Sequence, residues 1–98
     1  MAEFVQIIEM KTSRIEEVDA LVEELRASGG QMPMVRGLMA ADRDRPGHYL
    51  SILEFDSYEE AMANSNKPET TEMAQRMAAL CDEPPTFRNL DVRRVEQR

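Results

Sequence analysis

Residues 47–65, near the middle of the chain, predict a β-strand that runs directly into an α-helix. From Tyr49 to Phe55 the side chains are aromatic, branched or aliphatic with small polar interruptions, which is typical of a half-buried strand. The turn residues Pro46-Gly47 precede the strand, and Ser57 with Glu60 three residues later forms a capping box that starts a helix. Any fold of this chain must therefore contain this strand-helix unit.

Hydrophobic periodicity and turn residues place the other elements around this unit. The second helix is interrupted, because Pro68 cannot donate a backbone hydrogen bond and keeps Lys67 out of helical geometry. We expect a kink here, with Asn66 as the cap of the turn that restarts the helix. The predicted elements are a strand over Ala2–Lys11, a helix that starts at the capping residues Thr12-Ser13 and ends near Ala27 or Ser28 before Gly29-Gly30, strands over Met32–Ala41 and Tyr49–Phe55, the interrupted helix from Ser57 to Leu80, and a strand over Thr86–Val95.

The order strand, helix, strand, strand, helix, strand predicts an α+β fold of the ferredoxin-like, split βαβ class (β-α-β-β-α-β). This fold has a four-stranded antiparallel sheet with both helices on one face, and 98 residues suffice for one such domain, 1–98. The strands are apolar on both faces, as Phe4 beside Val5 and Tyr49 beside Leu50 illustrate. We therefore expect the second face to pack against another copy of the chain in a homodimer.

Composition and charge exclude several classes of function. Nineteen acidic and twelve basic residues give a net charge of −7, which disfavours nucleic acid as a partner. No apolar run is long enough to cross a membrane, and no signal peptide is evident, so we expect a cytoplasmic protein. The single cysteine, Cys81, and the single histidine, His48, predict neither an internal disulfide nor a metal site.

The residues around the second half of the strand-helix unit carry a resemblance to a known family. An aromatic residue ends the strand at Phe55, Asp-Ser-x-Glu follows over 56–59, then Ala61, and the polar Asn64 stands nine positions after the aromatic. This pattern, with the order of elements over the whole chain, resembles the antibiotic-biosynthesis-monooxygenase-like family. The resemblance implies a dimeric α+β barrel, in which two sheets face each other and each subunit keeps a pocket between its own sheet and helices.

The resemblance implies an apolar or aromatic small molecule as ligand and cofactor-free oxygenation as a possible activity. Haem degradation, a second activity of the family, uses a histidine on the helix after the strand, and Asn64 stands there in this chain. In the oxygenase branch a tryptophan ends the central strand and an amide lies in the pocket. Phe55 and Ser51 stand at these positions here. We therefore predict no cofactor, and the sequence leaves open whether the protein is an enzyme.

Candidate site residues follow from side-chain chemistry together with the resemblance. The predicted catalytic residues, which would stabilise a substrate carbanion or phenolate, are Tyr49, Asn64 and Arg88. The predicted substrate-binding residues are Gln6, His48, Ser51, Phe55, Tyr58, Met73 and Met77.

Each of these residues also has a structural interpretation that the sequence leaves open. Gln6 could bridge the sheet, Asn64 could cap the broken helix, and Arg88 could face solvent. The tyrosines could close the ends of the core, and His48 could stand at a strand edge. Two functions remain open at this stage. One is a homodimer that binds an apolar or aromatic small molecule and is possibly a cofactor-free monooxygenase, and the other is a dimerisation or accessory protein without turnover.

Overall fold

The computed structural model of the protein describes residues 3–27 and 34–98. The predicted glycine pair at 29–30 and the first two residues of the predicted second strand lie outside the described residues. The elements are β1 (Phe4–Lys11), α1 (Ile15–Ala27), β2 (Arg36–Ala41), β3 (His48–Phe55), α2 (Tyr58–Ser65), α3 (Pro68–Ala79) and β4 (Thr86–Asp91).

The strands form one antiparallel sheet in the order β2-β3-β1-β4, which confirms the predicted fold class. The two innermost strands, β1 and β3, pair along their full length from Phe4 opposite Phe55 to Lys11 opposite His48. The predicted last strand is too long, because β4 ends at Asp91 rather than at Val95. Its pairing with β1 ends where β1 begins, at Phe4 opposite Asp91.

Local sequence signals explain both ends of β3. The Arg45 carbonyl accepts a hydrogen bond from the His48 amide at 3.1 Å, and Gly47 has φ 85°, as the predicted type II turn requires. At the other end the Ser57 hydroxyl accepts a hydrogen bond from the Glu60 amide at 3.1 Å. This bond caps α2 and confirms that strand and helix follow each other directly.

The predicted interruption of the second helix is a complete break into α2 and α3. Lys67 is extended, with φ −74° and ψ 139°, and Pro68 is the first residue of α3. The residue before a proline is excluded from helical geometry by the proline ring. Lys67 therefore occupies the capping position that the sequence assigns to Asn66, while Asn66 ends α2.

The register divides the sheet into two faces with different roles. Phe4 and Phe55 lie opposite each other, are buried, and pack with Ala61 of α2 in the core, so the face that carries them is the helix-facing surface. Alternate side chains point to opposite sides of a strand. Val5 and Ile7 therefore lie on the other side, which we name the open face.

Thr12 joins three elements at the end of β1. It is 2% exposed, its hydroxyl donates a 2.6 Å hydrogen bond to the Leu80 carbonyl after α3, and it accepts a 2.9 Å bond from the Arg14 amide before α1. A buried hydroxyl without partners would be costly, and this one has both a donor and an acceptor partner. Thr12 thus fixes the start of α1 and the end of α3 to the same end of the sheet.

Candidate functional site

The helix-facing surface is closed at both ends and more open in the middle. Along β1, Phe4 and Met10 are each 2% exposed, whereas Gln6 and Ile8 between them on the same face are only half-buried. The helices therefore pack on the two ends of β1 more closely than on its centre. The middle of the helix-facing surface is thus more accessible than its two ends.

Six side chains on neighbouring strands form the middle of this surface, which we name the central patch. Directly opposite residues in an antiparallel sheet have Cβ atoms about 4.5–5.5 Å apart, so these side chains form one continuous surface. Ile8 lies opposite both Ser51 and Phe87, and Gln6 lies opposite both Leu53 and Asn89. The central patch consists of Gln6, Ile8, Ser51, Leu53, Phe87 and Asn89.

The polar part of the central patch is an amide pair. Gln6 Nε2 donates a hydrogen bond of 3.1 Å to Asn89 Oδ1 across β1 and β4. Gln6 therefore does bridge two strands, with Gln6 half-buried and Asn89 exposed. Sequence reasoning missed Asn89 as a site residue. The sequence shows that Asn89 and Arg88 point to opposite faces of β4. Only the register of β4 against β1 shows that Asn89, and not Arg88, lies beside Gln6.

Three other predicted site residues lie on the same face or at its end. Tyr49 lies opposite the buried Met10 and is half-buried itself, so it borders the central patch. Phe55, predicted to bind substrate, is 1% exposed and belongs to the core, because α2 covers it. Tyr58 is 52% exposed and packs edge-on against Phe4, with ring centroids 5.4 Å apart, so it closes the end of the core.

His48 and Arg88 lie on the open face. His48 pairs with Lys11 and Arg88 with Ile7, which places both on the side of the sheet opposite Tyr49 and Ser51. Arg88 Nη1 also lies 3.4 Å from Glu9 Oε1. The register therefore separates these two predicted site residues from the central patch, because alternate side chains of a strand point to opposite faces of the sheet.

Asn64, Met73 and Met77 lie on α2 and α3. Asn64 Oδ1 accepts a hydrogen bond of 3.2 Å from Thr70 Oγ1, so this side chain connects α2 to α3 across the break. Met73 and Met77 are half-buried and four residues apart, on one side of α3. None of the residues of α3 is buried, so its apolar side is only partly covered.

The described parts of the chain, 3–27 and 34–98, contain no group of three or more His, Cys, Asp or Glu side chains that could hold a metal ion. Burial raises the pKa of the Cys81 thiol, with a further contribution from Asp82, and the thiol donates a 3.4 Å hydrogen bond to the Met77 carbonyl. This environment favours a packed, protonated thiol.

No helix of the described residues is long and apolar enough to cross a membrane.

Comparison with solved structures gives matches over almost the whole chain. SnoaB, a cofactor-independent oxygenase from Streptomyces nogalater, has a TM-score of 0.77 at 15% identity, with 97% of each chain covered. A candidate antibiotic biosynthesis monooxygenase from Deinococcus radiodurans has a TM-score of 0.73 at 14% identity, with 96% of each chain covered. One from Chloroflexus aurantiacus has a TM-score of 0.67 at 18% identity, with 98% of each covered.

The chain has the fold of the antibiotic biosynthesis monooxygenases. The resemblance stated from residues 55–64 is thereby supported at the level of fold. No protein-family model matches the sequence, and no curated protein sequence matches it. Sequence identities of 14–18% show the shared fold alone, so function must be argued from the residues of the central patch.

We expect Asn64 to stabilise the junction of α2 and α3. Replacing Asn64 with alanine removes the acceptor of the Thr70 hydroxyl, and we expect the free energy of unfolding to fall by about 1 kcal/mol in urea titration. Thr70→Val should have a similar effect, and the double variant should lose little more than either single variant. Fully additive losses would show that the two side chains act independently.

Proposed function

We propose that this protein belongs to the antibiotic biosynthesis monooxygenase family and forms a homodimer in which each subunit binds an apolar or aromatic small molecule. The proposed ligand site is the cleft over the central patch. The observation that carries the proposal is the exposure along β1, where Gln6 and Ile8 are accessible between the buried Phe4 and Met10. A surface that is concave, largely apolar and supplied with a few polar groups is typical of small-molecule sites.

The side chains of the cleft suit an aromatic ligand. Ile8, Leu53 and Phe87 offer apolar contact, and Phe87 is 51% exposed although it lies on the helix-facing surface. The half-buried Met73 and Met77 of α3 are flexible and polarisable, which suits an adaptable wall. The hydroxyls of Tyr49 and Ser51 and the Gln6–Asn89 amides provide hydrogen bonds that would orient the ligand.

The open face supports the homodimer. Its apolar side chains form a continuous surface across all four strands, and Leu38 and Leu90 are 40% and 42% exposed. Four charged side chains of this face form two ion pairs, Arg36 with Glu54 and Arg88 with Glu9. A contiguous apolar surface of this kind is rarely left in water. The apolar residues of the open face are Val5, Ile7, Leu38, Ala40, Leu50, Ile52 and Leu90.

Cofactor-independent oxygenation is the activity that we propose for the cleft, favoured by the likeness to SnoaB. In such a reaction the deprotonated substrate itself reduces oxygen, so the protein needs hydrogen-bond donors that stabilise the substrate anion. The Tyr49 hydroxyl and the Asn89 amide could donate these bonds. The accessory protein without turnover is the competing function, and a ligand that binds without oxygen uptake would favour it over the oxygenase.

We expect the protein to sediment as a dimer, with twice the 11.2 kDa mass of one chain. Ile52 lies between Ile7 and Leu38 at the centre of the open face, so Ile52→Lys should place an unpaired charge in the interface and give a monomer. Ala63→Lys, on the exposed side of α2, adds the same charge and should remain a dimer. A wild-type monomer at micromolar concentration would contradict the proposed dimer.

We expect hydroxylated polycyclic aromatic compounds to bind the cleft, and Ser51→Leu to weaken this binding at least about tenfold by filling it. Calorimetric titration of a compound panel measures the affinity, and an oxygen electrode then measures turnover. Thr71→Leu, exposed on α3, is the matched control and should bind as the wild type does. If no compound binds, or if Ser51→Leu binds every compound unchanged, the proposed site is wrong.

A further inference from the structure

We propose that the groove between α1 and α3 is a docking site for a positively charged amphipathic helix of another protein. The groove belongs to the helical layer, on the other side of the sheet from the open face. It therefore stays accessible in the proposed homodimer. The inference concerns a different surface from the central patch and does not depend on the proposed function.

The groove is formed by one side of each helix. The lining positions of α1 are 17, 20, 21 and 24, and those at the end of α3 are 76, 79 and 80. Residues three or four positions apart lie on the same side of a helix, so the two sets face each other. Together they line a cavity of about 400 Å³, formed by Glu17, Ala20, Leu21, Glu24, Arg76, Ala79 and Leu80.

The floor of the groove is apolar and has room for a third helix. Leu21 is 6% exposed and Leu80 is half-buried, so these two side chains form the bottom. Ala20 and Ala79, one from each helix, are exposed and extend only by a methyl group. Small side chains at a contact allow helix axes to approach to about 8–10 Å. A larger side chain at either alanine would fill the groove.

Two hydrogen bonds hold the helices on either side of the groove in place. Arg76 Nη2 donates to Glu24 Oε2 at 2.8 Å, which joins α3 to the second half of α1. The Thr12 hydroxyl donates to the Leu80 carbonyl at 2.6 Å, which joins the end of α3 to the start of α1. A groove that is already formed before binding costs less conformational entropy to occupy.

The charges beside the groove select a positively charged partner. Helix α1 has five acidic residues and one basic residue, and α3 has two acidic residues and one basic residue. Glu17 and Glu24 line the groove, where Arg76 is the one basic lining residue and is bound to Glu24. Arg14 lies 3.8 Å from Glu17, but an ion pair between two such exposed side chains is weak. The groove therefore keeps an excess of negative charge.

The partner that fits these features is a helix with an apolar stripe between lysine or arginine residues. Its stripe would lie on the apolar floor, as in other complexes of a helix in a groove. The aliphatic part of a lysine side chain would contact Leu80 while its ammonium group reaches Glu17. Opposite charges on the two surfaces favour this partner over an acidic helix of the same shape.

The test uses the full-length protein and three fluorescein-labelled synthetic peptides, each about 18 residues or five helical turns long. The first peptide has alanine and leucine on one side of the helix and lysine on the other. The second has glutamate in place of every lysine, and the third has the composition of the first without the apolar stripe. We expect fluorescence anisotropy to give a Kd below about 100 µM for the first peptide and at least about tenfold weaker binding for the others.

Variants of the groove assign the binding to named residues. Ala20→Phe and Ala79→Phe fill the groove, and each should weaken binding of the first peptide at least about tenfold. Ala74→Phe, at an exposed position of α3 that does not line the groove, is the matched control and should bind as the wild type does. Glu17→Gln should weaken binding about twofold to fivefold, whereas Glu59→Gln on α2 removes the same charge without effect. Amide signals in a two-dimensional NMR spectrum verify that each variant is folded.

Three results would overturn the inference. Equal binding of the first and third peptides would show attraction of positive charge without a docking site. Unchanged binding of the first peptide to Ala20→Phe and Ala79→Phe would place it elsewhere on the protein. Absence of measurable binding by the first peptide would show that the groove receives no such helix. None of these results affects the proposed homodimer or ligand site, which lie on the two faces of the sheet.

Discussion

The structure depends on removing water from both faces of one small sheet. The inner strands β1 and β3 carry apolar side chains on both faces, and the helices of residues 3–27 and 34–98 pack on only one of them. On that face Phe4 and Phe55 pack beneath α2. The other face, centred on Ile7 and Ile52, keeps its apolar side chains accessible in the single chain. The proposed homodimer would bury it.

Incomplete packing of the helices creates the site. The contacts at the two ends of β1 are tight, through Phe4 at one end and through Met10 with the Thr12 hydrogen bonds at the other. The centre receives no buried side chain from α3. The break before Pro68 divides the second helix into two shorter ones, joined by the bond between Asn64 and Thr70. The same break thus shapes the roof of the proposed cleft.

Much of the fold could be predicted from the sequence because local signals agreed with one another. The Pro46-Gly47 turn, the Ser57 cap and the break at Pro68 each depend on a few adjacent residues, and the structure has all three. Among the details that sequence reasoning misplaced were the cap of α3 and the end of β4. The cap of α3 is Lys67 because Pro68 keeps this residue in an extended conformation. Strand β4 ends at Asp91 because its partner β1 begins at Phe4.

The site was harder to predict because it depends on register. Alternation alone placed Gln6 with Phe4 and Met10, but it could not say whether Asn89 or Arg88 of β4 lies beside Gln6. Long-range pairing decided this in favour of Asn89 and moved Arg88 to the open face. Phe55 was difficult for a related reason. A side chain at the end of a strand can line a pocket or join the core, and the packing of the next helix decides which. Here α2 packs on Phe55 and makes it part of the core.

The central claim is that two adjacent residues of β1 make different contacts. Ile7 contacts the second copy of the chain in the dimer, and Ile8 contacts the ligand. Methyl NMR of isoleucine-labelled protein tests it directly, by serial dilution and by titration with a hydroxylated polycyclic aromatic compound. The account predicts that dilution changes the Ile7 methyl signal and leaves Ile8 unchanged, while the ligand changes Ile8 first and most strongly. Ligand-induced changes centred on Ile7, or dilution effects centred on Ile8, would contradict it.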